Sequence, residues 1–172
     1  MIKQLKNPMS EEYLELKKIV LSSSFSWYYN KFSTPEMEKT PHVNLPIYSH
    51  NFLERPELLD NGFSKPRSEY VSLVSKVLFN ILNCNKIKFR TFLRICANLV
   101  HPEKEILCSV PHFDHTYEHM NMVVYLTSAG GNTVVENEEF FPKEDDCIMF
   151  EGEHYMKTPE KDRRIILVAT FI

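Results

Sequence analysis

The amino-acid sequence predicts an α+β protein with a sandwich or jelly-roll core. Two segments with apolar residues at helical spacing lie in the first half of the chain, and a series of short strand-like segments follows Cys84. Since no helical pattern separates these strands, crossover connections are excluded and the sheets should be mostly antiparallel. The 172 residues suit one domain, with a helical N-terminal part at about 1–85 and a strand-rich core at about 86–172.

The first helix is predicted at about residues 10–22, where Ser10 is a suitable N-cap because its hydroxyl can accept a bond from the first turn. Apolar residues then recur at helical spacing at Tyr13, Leu16 and Val20. Residues 24–62 contain several prolines and many aromatic side chains without a clear period. We therefore expect a long connection there that carries only short elements.

A second helix is predicted to open at Ser64 and Pro66. Its apolar face is the strongest helical pattern of the chain and should pack against a sheet. The residues of this face are Tyr70, Leu73, Val74, Val77, Leu78, Ile81 and Leu82.

The period changes from 3.6 to 2 after Cys84, which indicates a strand in the segment KIKFRTFLRICANLV. Its apolar face contains Ile87, Phe89, Leu93, Ile95 and Leu99, and its polar face contains Lys88, Arg90, Arg94 and Asn98. Further strands are predicted in the segments ILCSV, MNMVVYLT, NTVVEN, DCIMFE and RRIILVATFI.

The stretch PHFDHTYEHM at residues 111–120 contains three histidines and two carboxylates. His112 and Asp114 are two residues apart at a strand end, so alternation directs both side chains to the same face. His154 follows the later strand DCIMFE. Two imidazoles and one carboxylate leave three octahedral positions open, which is the arrangement of non-haem Fe(II) oxygenases.

Arg164 follows ten residues after His154, at the start of the last predicted strand. The resulting pattern, HxD…GGxT…PxxxDxxxF…H…R…F, resembles the double-stranded β-helix core of Fe(II)/2-oxoglutarate-dependent dioxygenases. It is most similar to the prolyl-hydroxylase-like branch. The segments that carry the resemblance are HFD, YLTSAGGNT, FPKEDDCIMFEGEH and RRIILVATF, and they lie within residues 88–172.

The resemblance implies an enzyme that uses Fe(II), 2-oxoglutarate and O2, with ascorbate as a supporting reductant. Such an enzyme hydroxylates a C–H bond, here of a peptidyl, prolyl-like side chain, and releases succinate and CO2. His112, Asp114 and His154 would be the catalytic metal ligands. The N-terminal helices would pack on the major sheet of the jelly roll.

The resemblance also implies that Arg164 binds the distal carboxylate of 2-oxoglutarate, because a guanidinium can hold a carboxylate at two points. Arg163 is the alternative if the last strand is shifted by one residue. Many relatives carry serine two residues after this arginine, whereas this chain has Ile166. Asn98, Tyr125 and Thr133 are further candidates near the cosubstrate. The alternative for Asn98 is an exposed polar strand edge, and for Tyr125 and Thr133 it is ordinary strand packing.

Other functions remain open. A cupin-type metal-binding jelly roll, either an isomerase or a dioxygenase independent of 2-oxoglutarate, would not need Arg164. A non-catalytic binding module would be expected to have lost a ligand. No HExxH motif of a zinc hydrolase occurs. We expect His115 and His119 to lie in a solvated loop, with substrate contact or support of the metal ligands as the alternative.

The composition bears on the cellular location of the protein and on the class of its substrate. The net charge of −3 argues against a nucleic-acid partner, although Arg90 and Arg94 could form a local anion site. No apolar run is long enough to span a bilayer, no signal-peptide core is present, and no CxxC pair occurs, so we expect a cytoplasmic protein without a membrane partner. A peptide, a protein or a small molecule can be the substrate, and oligomeric state is left open.

Overall fold

The computed structural model describes residues 1–34, 41–59 and 62–172. In these ranges the chain forms two α-helices, α1 (Glu11–Val20) and α2 (Val71–Cys84), and one 3₁₀ turn at Pro56–Leu58. The strands, in chain order, are β1 (Lys3–Leu5), β2 (Tyr28–Asn30), β3 (His42–Val43), β4 (Ile47–Glu54), β5 (Lys65–Pro66), β6 (Phe92–Val100), β7 (Cys108–Ser109), β8 (Met120–Tyr125), β9 (Thr133–Val135), β10 (Glu138–Phe140), β11 (Cys147–Phe150), β12 (His154–Met156) and β13 (Arg164–Phe171).

The strands form one large sheet and two small ones. The large sheet has the order β1-β11-β8-β13-β6-β4-β2, with β5 paired to β4, and a second sheet has the order β10-β9-β12. Every pairing in these two sheets is antiparallel, whereas β3 and β7 pair in parallel. The prediction of a mostly antiparallel protein with two helices is therefore confirmed.

Both helices pack on one face of the large sheet. Ser10 caps α1 by accepting a hydrogen bond from the backbone of Tyr13, as the sequence predicts. The buried faces of α1 and α2 share one apolar core with alternate residues of β6 and β13, including Ile95 and Leu167. Because side chains alternate along a strand, the residues between them point to the opposite face of the sheet.

That opposite face meets the second sheet in a smaller apolar cluster. Its buried members are Cys96, Val123, Tyr125, Val135, Ile148, Phe150, Ile166 and Val168. They come from five strands of the two sheets, so this cluster lies between the sheets. Arg94, Asn98 and Arg164 alternate with the helix-facing residues of the same strands and therefore point towards this side.

The second helix begins later than predicted, at Val71. Residues Lys65–Pro66 are instead a strand that pairs with β4, and Arg67 donates its backbone N–H to the carbonyl of Phe52. The sheet thus uses backbone groups that a helix from Ser64 would need.

The N-terminal part is also less purely helical than expected. Strand β4 lies next to β6 in the large sheet and has eight residues, although the sequence of this region shows no period. The pairing of β4 with β6 shifts between Asn51 and Leu53. Such a bulge interrupts the alternation of side chains, which explains why no period of 2 is visible in the sequence.

Among the described residues, neither helix combines the length and the apolar character that crossing a membrane would require.

Candidate active site

The two histidines of the predicted metal site lie opposite each other. His112 and His154 exchange both of their backbone hydrogen bonds, each with an N···O distance of 3.0 Å. Residues that face each other in an antiparallel bridge have side chains on the same side. Their rings accordingly lie next to each other, with centroids 4.6 Å apart.

Asp114 completes a group of three potential ligands. Its carboxylate, His112 and His154 offer ligand atoms that all lie within 4.8 Å of one another. Asp114 Oδ2 lies 3.6 Å from His154 Nε2. This is the group that the HxD…H spacing predicts, and it could hold one metal ion.

Two arginines hold the other oxygen of the same carboxylate. Asp114 Oδ1 accepts hydrogen bonds from Arg94 Nη1 at 2.8 Å and from Arg55 Nη2 at 3.3 Å. Arg55 also donates to the backbone carbonyl of Asp114 at 2.9 Å. Burial alone would raise the pKa of Asp114, but Arg94, the two histidines and Arg55 together lower it well below its usual range. The carboxylate is thus ionised, with Oδ2 directed towards the imidazoles.

The imidazoles are also prepared for a metal. His112 Nδ1 donates to the carbonyl of Val110, and His154 Nδ1 donates to that of Gly152, since a carbonyl can only accept. In this tautomer the Nε2 atom of a neutral imidazole is unprotonated. Burial lowers the pKa of His154 to about 4, which keeps this ring neutral above that pH. Neutral imidazole is the form that binds metals.

Arg164 is buried at another wall of the same cavity. Its Nε donates to the carbonyl of Gly131 at 2.7 Å, and its Nη2 donates to Thr133 Oγ1 at 3.0 Å. Within the described part of the chain, no acidic side chain forms an ion pair with it. Arg163 points away, with 55% of its side chain exposed. Of the two candidate arginines, Arg164 is therefore the one that faces the cavity.

Gly131 makes this position of Arg164 possible. Its φ of +75° is one that residues with a side chain rarely adopt, and an added Cβ would lie 2.4 Å from Arg164 Cδ. The GGxT motif thus brings a backbone carbonyl and a threonine hydroxyl to the guanidinium.

The weaker candidates for cosubstrate contact lie close to Arg164. Tyr125 donates to or accepts from Thr133 at 2.6 Å, and the Arg164 guanidinium carbon is 5.4 Å from the centre of its ring. Asn98 lies opposite Ile166 and lines the cavity, and its buried Oδ1 has no hydrogen-bond partner among the described residues. A buried polar atom therefore lies on this wall of the cavity, next to β13.

One cavity of about 1360 Å³ connects these groups. The three potential ligands, Arg164 and Asn98 all line it. Its wall also includes His119 and Asn121, whose side chains have buried polar atoms without a hydrogen-bond partner in the described ranges of the chain. Buried polar groups are normally paired, so these atoms indicate a place where water or a ligand binds.

The expectation of a solvated loop at His115 and His119 is wrong, because both side chains are buried. His115 bridges Glu57 and the hydroxyl of Thr170, which ties the loop to β13. Arg90 and Arg94 do not form a joint anion site either. Arg94 is bound to Asp114, and Arg90 is exposed.

Sequence reasoning did not find Arg55 or Asn121. Arg55 lies in the segment without a period, so no local pattern marks it. Asn121 is a polar residue in an apolar strand, flanked by Met120 and Met122. This exception to the apolar pattern could have marked it as a candidate site residue.

The structure resembles solved oxygenases. A 2OG-Fe(II) oxygenase family oxidoreductase from Burkholderia pseudomallei superposes with a TM-score of 0.64 at 12% identity, over 92% of this chain and 76% of that chain. A prolyl hydroxylase from Trichoplax adhaerens, in complex with a hypoxia inducible factor peptide, gives 0.59 at 11% identity, over 99% and 83%. A Pseudomonas putida prolyl-4-hydroxylase gives 0.54 at 12% identity, over 99% and 91%.

This chain has the fold of these oxygenases. The predicted resemblance to the 2-oxoglutarate/Fe(II) superfamily and its prolyl-hydroxylase-like branch is thereby confirmed at the level of the fold. At the level of sequence, no protein-family model matches the chain, and the comparison with curated proteins gave no match. Function is accordingly inferred from the residues of the cavity, because a fold alone does not fix it.

Proposed function

We propose that the protein is an Fe(II)- and 2-oxoglutarate-dependent dioxygenase that hydroxylates a C–H bond and releases succinate and CO2. The observation that carries this proposal is the content of one cavity. It contains a group of two histidines and a carboxylate, and also a buried guanidinium without an acidic partner among the described residues. A metal and a dianion that also binds the metal would satisfy both groups.

The residues at the metal end fit Fe(II). His112, Asp114 and His154 would hold the ion and leave further positions for cosubstrate and O2. When bound, Fe(II) with O2 and 2-oxoglutarate supplies the oxidising chemistry, and ascorbate would keep the metal reduced. Arg94 and Arg55 fix the carboxylate so that a single oxygen is left for the ion.

The residues at the other end fit the distal carboxylate of 2-oxoglutarate. Arg164 would bind it through Nη1 and Nη2, whose protein contacts are a sulfur atom and a hydroxyl. Thr133 and Asn98 supply further polar atoms nearby, and Tyr125 holds Thr133 in place. Burying a cation away from water without a nearby anion costs free energy. The buried guanidinium of Arg164 therefore favours binding of a carboxylate here.

We also infer that the two antiparallel sheets form a double-stranded β-helix and that residues 1–172 are one domain. The cavity between the sheets and the helices on the outer face of the large sheet support this arrangement. A cytoplasmic location stays a prediction from the sequence, as does the absence of a nucleic-acid partner.

A peptidyl, prolyl-like side chain is the substrate class that we favour. The Trichoplax prolyl hydroxylase has a similar fold and was solved with a peptide fragment bound. In this chain the cavity is wide, and the exposed side chains of Leu58, Phe113 and Tyr117 lie at its edge. These side chains can contact the peptide residues on either side of the one that enters the cavity.

The proposal is tested by succinate release from 2-oxoglutarate in the presence of Fe(II) and ascorbate. We expect release that is stimulated by a proline-containing peptide and not by free proline or short oligonucleotides. A cupin-type enzyme would act without 2-oxoglutarate, and a binding module would bind peptide without turnover. Coupled turnover with an oligonucleotide alone would refute the peptide assignment.

A further inference from the structure

The mouth of the cavity is formed by two segments that leave the large sheet at the same edge. Strands β8 and β11 are antiparallel, with Asn121 opposite Phe150. The chain just before β8 and the chain just after β11 therefore meet at one end of this pair. Residues 113–118 and 151–153 belong to these segments, and all of them line the cavity.

The free charge at this mouth is negative. Glu118, Glu151 and Glu153 are exposed, and in the described part of the chain their carboxylates take part in no ion pair or hydrogen bond. Among the described residues, no arginine that lines the cavity forms an ion pair with these glutamates. Arg55 and Arg94 are bound to Asp114, and Arg164 is buried.

Two exposed aromatic rings lie on the first of these segments. Phe113 is 55% exposed and Tyr117 is 41% exposed. Tyr117 stacks on the buried ring of His115, with centroids 5.1 Å apart and an interplanar angle of 25°. Aromatic faces next to carboxylates bind the stem and the charged head of lysine and arginine side chains.

An independent observation below the mouth also indicates a ligand. Asn121 is 1% exposed and His119 is 6% exposed, and both line the cavity with polar atoms that no described residue hydrogen-bonds. His119 Nδ1 donates to the carbonyl of Tyr117, so Nε2 of the neutral ring is an acceptor. The Asn121 carboxamide is both donor and acceptor. A peptide group offers the complementary N–H and C=O.

We propose that the mouth binds a peptide segment with lysine or arginine next to the residue that enters the cavity. The basic side chains contact Glu118, Glu151 and Glu153 together with the rings of Phe113 and Tyr117. The main chain of the peptide lies against His119 and Asn121. This inference rests on the proposed function, because it specifies the substrate class of the same cavity.

The test uses three fluorescent peptides of equal length with one central proline flanked by lysine, serine or glutamate. Binding to Mn(II)-loaded protein is followed by fluorescence anisotropy, which needs no turnover. We expect the lysine peptide to bind at least about tenfold more tightly than the glutamate peptide. The difference should shrink at high salt, because exposed charges are screened. Equal or tighter binding of the glutamate peptide would overturn the proposal.

Two matched triple variants locate the source of the preference. One combines Glu118→Gln, Glu151→Gln and Glu153→Gln. The control combines Glu15→Gln, Glu69→Gln and Glu105→Gln, which are exposed glutamates outside the cavity lining. Both change the formal net charge from −3 to 0. The preference for lysine should fall below about threefold only in the first variant. Equal loss in both would show general attraction and refute the site.

Asn121→Ala tests the main-chain contact. It should weaken binding of all three peptides by a similar factor, about fivefold or more, and leave the charge preference intact. Unchanged affinity would contradict this part of the proposal. Spermidine serves as a competitor, and tighter binding of spermidine than of the lysine peptide would rule out a peptide as the occupant.

The binding readout separates this inference from the proposed function. Charge-dependent peptide binding without any succinate release would refute the dioxygenase and keep the peptide site. Peptide-dependent succinate release without a charge preference would keep the dioxygenase and refute the inference.

Discussion

At the metal end of the cavity the buried carboxylate of Asp114 has two guanidinium partners, whereas the buried guanidinium of Arg164 has only neutral partners among the described residues. At the first end the buried carboxylate is paired within the protein. At the second end the guanidinium has no anionic partner in the described part of the chain. We therefore expect the Asp114 group to contribute to the stability of the fold and Arg164 to contribute to the binding of a ligand.

The largest effect is expected from Asp114→Ala. The variant leaves the half-buried Arg94 and Arg55 without a carboxylate between them, so the free energy of unfolding should fall by about 3–5 kcal/mol. Mn(II) affinity should fall at least about tenfold, because one ligand is lost. Urea denaturation and Mn(II) titration by electron paramagnetic resonance measure the two effects, with the exposed Asp162→Ala as the control. Wild-type stability would contradict the conclusion that Asp114 is needed to pair these two arginines.

The opposite result is expected at the other end. Arg164→Met removes a buried charge that has no acidic partner among the described residues, so the free energy of unfolding should change by no more than about 1 kcal/mol. The apparent constant for 2-oxoglutarate should rise about a hundredfold, which is about 2.7 kcal/mol. Mn(II) binding should be unchanged. The control is Arg163→Met, and an equal effect of this exposed residue would refute the role of Arg164.

The free energy of unfolding should also depend on pH, through His154 at the metal end of the cavity. The pKa of His154 is about 4 in the folded protein, below the ordinary histidine value of 6.5, so the unfolded chain binds a proton first as the pH falls. Stability of the metal-free protein should thus decrease by about 2–3 kcal/mol between pH 6.5 and 4. Urea denaturation over this range tests it. His154→Phe should flatten the dependence, and an unchanged slope would contradict it.

A smaller effect is expected from Gly131→Ala. The new Cβ would displace Arg164, so the apparent constant for 2-oxoglutarate should rise about tenfold, which is about 1.4 kcal/mol, while Mn(II) binding stays the same. Gly62→Ala is the matched control, since Gly62 also has a positive φ, and no atom of the described residues lies within 4 Å of an added Cβ. Equal effects of both variants on 2-oxoglutarate would indicate backbone strain rather than displacement of Arg164.

Local pattern was sufficient for several parts of the molecule. The N-cap at Ser10 and the core face of α2 follow from residues close together in the chain. The convergence of His112 and Asp114 follows in the same way, because alternation along an extended segment is a local property. The start of α2 and strand β4 were not predicted correctly, since pairing with distant strands and a bulge determined them.

The sequence by itself determined the class of the fold and the residue types of the candidate metal site, and it narrowed the candidate anion-binding residue to one of two adjacent arginines. Tertiary structure decided that Arg164 faces the cavity, because strand register depends on partners elsewhere in the sheet. It also decided that Arg55 reaches Asp114 across 59 positions and that His115 and His119 are buried. These contacts join segments far apart in the chain, and no short-range spacing of residues encodes them.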